Sequence, residues 1–170
     1  FEDTGFAMLK THYYGGIRKY QWLAIPLALH GTILKKNGDR IEITIGEDPD
    51  DPVFTVSDLL PHLAGKLQAS KKLSDVFEAE KLNLLCGSSP LGDKETKDRF
   101  KLNILSLLKD KYGIVEEDFI SAEIEAVPAG PARDIGLDRS MIGAYGHDDR
   151  VCAYTSLRAI LDMDGTPEKK

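Results

Sequence analysis

The dipeptide Asn37-Gly38 lies between two extended runs, "WLAIPLALHGTILKK" and "RIEITIG", and constrains the fold more than any other feature of the chain. Asn followed by Gly supplies the positive φ that tight hairpin turns demand, so the two runs are expected to pair antiparallel. In the returning run Ile41, Ile43 and Ile45 alternate with Glu42 and Thr44. Successive side chains of a strand face opposite ways, so this alternation predicts one buried and one wet face.

Other signals place further elements around the hairpin. Gly15-Gly16 marks a turn or a close backbone approach. "GEDPDDPVF" is an acidic loop stiffened by Pro49 and Pro52. Its carboxylates lack the D-x-D-x-D-G spacing and terminal Glu of a calcium loop, so a solvated turn is expected. Ser57 is placed to cap a helix through "SDLLPHLAGKLQ", with Pro61 in its first turn. Residues 69–95 read as a loop-rich excursion. An amphipathic helix is expected over 94–112, with Phe100, Ile104, Leu105, Leu108 and Tyr112 on one face and Gly113 as its stop. "DFISAEIEAVPAG" alternates and predicts a strand broken by Pro128 and Gly130, and the segment from Pro131 to Gly146 reads as irregular. A last helix is expected from Asp148 or Asp149 to Leu161. Its apolar residues cover more than one stripe, as in a helix buried within a larger body. Strands grouped apart from helices imply an α+β fold.

Charge and cysteine usage narrow the function classes. A net charge of -6 argues against a nucleic-acid partner, because phosphate binding rests on clustered Lys and Arg. No apolar run approaches the ~20 residues of a membrane span. Cys86 and Cys152 have no CxxC spacing and read as reduced thiols of a cytoplasmic protein. The chain begins at Phe1 and stops at "GTPEKK" just after a helix, so a processed product or a piece of something longer is expected.

Few residues can carry chemistry. His12, His30, His62 and His147 form no HExxH pair, and no GxSxG, GxGxxG or phosphate-binding loop is present. His12 and His30 read as packed or satisfied residues, and His62, after Pro61, as either surface or functional. "HDDR" at 147–150 allows two readings. Asp148 or Asp149 caps the last helix and interacts with its dipole, or Asp148 is a carboxylate ligand of a catalytic metal. A hydrolytic zinc needs three or more protein ligands, and the partners for Asp148 are not evident in this sequence.

Three stretches in order carry a resemblance: "KTHYYGGIRKYQWLAIPLALHG", "IGEDPDDPVFTVSDLLPHLA" and "GHDDRVCAYTSLRAILD". Together they closely resemble the aspartyl aminopeptidase / aminopeptidase I family of dinuclear zinc exopeptidases, particularly its bacterial branch, over practically the whole chain. The resemblance implies an α/β catalytic domain interrupted by a β-barrel-like insert with helices that acts as lid and dimerisation domain. The family's ligands come from an H-x-D motif before the insert, an Asp just after it, a Glu-Glu pair on a later strand, and a further Asp and His. The first Glu of the pair is the general base. In such a site zinc polarises the scissile carbonyl and lowers the pKa of bound water.

Carried over residue by residue, the Asp after the insert corresponds to Asp148, which in the family bridges the two zinc ions. The H-x-D motif would precede Phe1 and the Glu-Glu pair would follow Lys170, so no catalytic residue is expected within this chain. The family also sends a histidine from the insert toward a neighbouring subunit's active site, and His62 is the nearest candidate for that substrate-binding role. Relatives can carry a second His where this chain has Lys66. The implied organisation is an N-terminal junction over 1–20, a lid and dimerisation domain over 21–142, and the start of the returning catalytic domain over 143–170. The expected whole protein is a cytoplasmic aminopeptidase with two zinc ions per subunit. It removes acidic or neutral N-terminal residues from peptides, dimerises through the insert, and assembles further into a large homo-oligomer. The piece itself is expected to be inactive and to hold no zinc. The competing expectation is a free-standing, non-catalytic interaction domain.

Overall fold

The computed structural model describes residues 1–165. The expectation that the returning catalytic piece runs on to 170 therefore ends outside the described residues. The chain divides into two compact units, Phe1–Gly130 and Pro131–Lys170.

The hairpin is the centre of the first unit. Strand β3 (Leu27–Leu34) pairs antiparallel with β4 (Arg40–Ile45), running from Leu29 opposite Ile45 to Leu34 opposite Arg40. Its turn is wider than a two-residue loop. The Gly38 N–H donates to the Lys35 carbonyl at 2.8 Å, Gly38 takes φ +93, and the Asn37 side chain accepts from the Asp39 N–H at 3.0 Å. Ile43 and Ile45 are buried while Glu42 and Thr44 are exposed, as the alternation requires. The outgoing strand starts only at Leu27, after a 3-10 turn at Lys19–Trp22 and Ala24 in the left-handed conformation at φ +55.

The other edge of β3 pairs antiparallel with a third strand, β6 (Ala122–Pro128). It begins later than the alternation suggested, since Glu116–Ser121 is a 3-10 turn in which Asp118 accepts the Val115 N–H at 3.0 Å. A second sheet contains β1 (Glu2–Asp3), β2 (Phe6–Leu9) and β5 (Leu84–Gly87) in that order. Strand β5 lies inside the segment read as loop-rich. Leu84 at its start is too short a signal to separate from a loop by periodicity, yet it is fully buried in the core.

Isolated bridges at Leu23–Val56, Leu27–Phe54 and Thr55–Leu85 tie the two sheets together. They do not make the expected barrel: the sheets β1-β2-β5 and β4-β3-β6 stay open among the described residues. Closure requires a continuous, staggered ladder. The 54–56 segment between the sheets contributes only single bridges, and the proline of 52, which lacks an N–H, precedes it. The fold is mixed α and β with small antiparallel sheets, and the barrel expectation is corrected accordingly.

Three helices complete this unit. Helix α1 (Pro61–Leu67) starts four residues after the expected cap, with Leu60 extended and Pro61 at its first position. A residue before proline is kept out of the helical region, so Ser57 and Asp58 cannot be drawn into the helix. Helix α2 (Leu73–Val76) is one turn. Helix α3 (Arg99–Tyr112) ends at Gly113 in the left-handed conformation, as its sequence predicted. Its N-terminus is satisfied from elsewhere in the chain: the Glu2 carboxylate accepts the N–H of Phe100 at 2.9 Å and of Lys101 at 3.0 Å. The core joins Leu27, Leu29, Ile33, Ile43 and Ile45 of the hairpin to Val56, Leu82, Leu84 and Ile114, with Leu108 and Tyr112 of α3 packed against it.

The second unit holds a short hairpin, β7 (Arg133–Ile135) with β8 (Met141–Gly143), followed by helix α4 (His147–Leu161). The hairpin occupies the segment read as irregular. None of the described residues of this unit is buried, including the apolar residues of α4.

Candidate functional site

Asp148 sits at the start of α4. Gly146 precedes it in the left-handed conformation at φ +88, and Asp148 itself is extended at φ -89 and ψ 112. The Asp148–Asp149 peptide is cis, and the regular helix runs from Asp149. No side-chain hydrogen bond caps this helix. The expectation that the aspartates close the helix as a cap is therefore corrected: neither carboxylate accepts a first-turn N–H, although the extended backbone of Asp148 is of the kind a capping residue adopts. What persists is position, since both carboxylates stand in the first turn, where the helix dipole favours negative charge.

The neighbouring imidazole is engaged locally. His147 Nε2 lies 3.2 Å from the Ile142 carbonyl oxygen, a bond that ties the start of α4 to strand β8 of the same unit. A zinc centre needs three or more protein ligands around it. Among the described residues no three His, Cys, Asp or Glu side chains come together to provide them. His147, Asp148 and Asp149 therefore do not constitute a zinc site by themselves, and no reaction step follows from them alone.

The other singled-out residues are dispersed. His62 occupies the second position of α1 and is exposed, with Lys66 one turn later. His12 is exposed too, stacked on Tyr13 and 3.6 Å from Glu80, so the packing expected of it is corrected. Gly15 takes φ +71 with open space around it, which makes this pair a turn and not a close approach.

The acidic loop is more organised than its composition suggested. Asp48 accepts the Asp50 N–H at 2.9 Å and Asp51 the Gly46 N–H at 3.1 Å. Glu47 makes the most connections: Oε1 lies 2.8 Å from His30 Nε2, and Oε2 accepts the Gly130 N–H at 3.2 Å. The His30 ring first, and the Gly130 N–H second, hold this carboxyl below the ordinary glutamate range. His30 is satisfied, as expected. Glu47 was indistinguishable from its acidic neighbours in the sequence, but the hairpin register held a signal: Ile45 faces Leu29, so the chain just past it turns beside β3. Both cysteines are free thiols, and burial pushes that of Cys86 up to about 11.

The family profile described as aminopeptidase I zinc metalloprotease (M18) matches residues 2–170. The chain belongs to this family. The probable M18 family aminopeptidase 1 of Clostridium acetobutylicum is 60% identical over 163 residues, which are 96% of this chain and 35% of that relative. The protein of the same description from Borrelia garinii is 53% identical over 168 residues, 99% of this chain and 36% of its own length. A crystal structure of an M18 family aminopeptidase from Thermotoga maritima matches with a TM-score of 0.89 at 54% identity, covering 99% of this chain and 36% of that one. The mixed α/β architecture is thus that of an M18 aminopeptidase, and this chain spans about a third of the length of the curated relatives it matches.

Proposed function

We propose that this chain is part of a zinc aminopeptidase that removes N-terminal residues, acidic or neutral, from peptides. The family match over 2–170 carries the reading. Within it, residues 21–142 serve as lid and dimerisation domain, 1–20 join them to the catalytic domain, and 143–170 begin its return. Asp148 is the zinc ligand of this chain, bridging two ions whose other ligands come from the rest of the enzyme. Its place in the first turn of α4, exposed and without a hydrogen-bonded cap, supports that role. His62, exposed on α1 beside Leu60, Leu63 and Leu67, is the residue that reaches a neighbouring subunit's substrate. The whole protein works as a cytoplasmic homo-oligomer. No described helix is long and apolar enough to cross a membrane.

The test is expression of the whole reading frame with and without Asp148→Asn. The wild-type enzyme is expected to carry zinc by elemental analysis and to release N-terminal residues from peptides. The variant is expected to lose metal and at least the roughly 10–100-fold in activity that removing a ligand's outer-shell support costs. A reading frame without an upstream H-x-D and a downstream Glu-Glu would instead favour a non-catalytic interaction domain. Sedimentation addresses the dimer separately: a 170-residue chain that stays monomeric at high concentration would remove the dimerisation role.

A further inference from the structure

We propose that Glu47 is a latch on the last residue of the first unit, its carboxylate clamped by His30 on one oxygen and holding the Gly130 amide with the other. Loss of that carboxylate's charge frees the Gly130 amide while the β3–β6 ladder stays closed. This inference is independent of the proposed catalytic role.

The geometry begins at the end of β4. Gly46 takes φ +105 and packs so closely on β3 that an added Cβ would lie 3.0 Å from the Ala28 Cα. That contact turns the chain back across β3 and delivers Glu47, half-buried, to His30. On the far side β6 ends at Pro128, which is paired with Leu27. Beyond it the Ala129 N–H donates to the Pro26 carbonyl at 3.0 Å, and the Gly130 N–H donates to Glu47 Oε2. Gly130 is in a left-handed conformation at φ +112, and the division between the two units falls directly after it. One side chain therefore joins β3, the loop after β4 and the exit from β6.

An ionised carboxylate serves two donors at once, and hydrogen bonds to it are roughly twice as strong as neutral ones. Protonation removes the charge and turns one oxygen into a donor, so both bonds cannot persist at full strength. Because both partners favour the ionised form, the folded carboxyl titrates below the ordinary value of 4.5. The sign follows directly: the latch is complete above that ordinary value and is lost as pH falls through the lower, folded value. The charged groups around it are few. Glu125 of β6 stands opposite His30 in the ladder, while Thr44 of β4, its partner on the other side, is uncharged. Asp48 and Asp51 of the loop are bonded to their own backbone N–H groups, and Asp51 also lies 3.8 Å from Lys111.

The test is a titration of the isotopically labelled chain by NMR, following the Gly130 amide, the Glu47 carboxyl carbon and the β3–β6 ladder amides. The Gly130 amide shift is expected to move with the Glu47 carboxyl, at a midpoint below that of an ordinary glutamate. Glu47→Gln is expected to abolish this titration and speed Gly130 exchange on the order of tenfold at neutral pH, with ladder protection unchanged. His30→Asn is expected to raise the midpoint toward the ordinary value. A Gly130 amide that ignores the Glu47 carboxyl, or exchanges equally fast in Glu47→Gln, overturns the latch. Loss of ladder protection together with Gly130 overturns its local character, and an unmoved midpoint in His30→Asn removes His30 from it.

Discussion

Glu2 stabilises a helix far along the chain by accepting the N–H of Phe100, 98 positions later. A helix start leaves four N–H groups without intrahelical partners, and here Asp98, left-handed at φ 53, makes no side-chain cap of its own. Glu2→Ala should therefore cost about 1 kcal/mol, within the 0.5–2 kcal/mol range of ordinary caps, with Glu2→Gln recovering part of it. Urea unfolding checks this, and an unchanged midpoint for the alanine variant would dismiss Glu2 as a cap. The two thiols invite a second measurement. With its pKa near 11, Cys86 at pH 8 is thiolate in only roughly one molecule in a thousand, and it is partly buried. Exposed Cys152 should react first with iodoacetamide, and Cys86 only after unfolding, as mapped by peptide mass. Equal labelling rates in the native protein would contradict the burial of β5.

Among the elements, β3 has the most demanding environment, because it is paired on both edges. Gly31 at its middle stands opposite Ile43 and Ile124. A Cβ there would collide with the Glu123 carbonyl oxygen and lie 2.7 Å from the Ile124 Cα, both of them backbone that cannot swing aside. Gly31→Ala is expected to lose at least about 3 kcal/mol or to prevent folding, read from circular dichroism and urea unfolding. A loss under 1 kcal/mol, to use the ordinary scale of a strand glycine, would mean that the two strands part easily. This crowding was not visible in "LALHGTIL", because it depends on a partner far along the chain. The hairpin, the stop of α3 at Gly113 and the alternation of β6 were legible, since each is written in adjacent residues. Strand β5, the β7–β8 hairpin and the start of α1 were not. The first two are too short to show a period, and the third is set by the backbone limits of a residue before proline. At the candidate site the place of Asp148 at the start of the last helix was legible. The absence of a capping bond from its carboxylate was not, since residue type and position alone do not fix where a side chain turns.

The whole molecule distributes its burial unevenly. Phe1–Gly130 contains every buried residue described, whereas in the second unit Leu157 and Ile160 of α4 are 55% and 67% exposed. A helix of this length is marginal in water without a packed face. Hydrogen exchange by mass spectrometry should find peptides from α4 exchanging close to free-peptide rates, and those from β3 and β6 strongly protected. Equal protection would require a packing partner for α4 in solution. The double pairing of β3 also has a consequence for the order of events during synthesis. The β3–β4 hairpin is complete in itself as soon as its residues emerge, but the opposite edge of β3 has no partner until the ribosome has made Ala122–Pro128. For that interval an apolar strand carries an open row of N–H and C=O groups, the condition under which nascent chains recruit one another. Slow translation between β4 and β6 should thus raise the demand for chaperones without altering the finished fold.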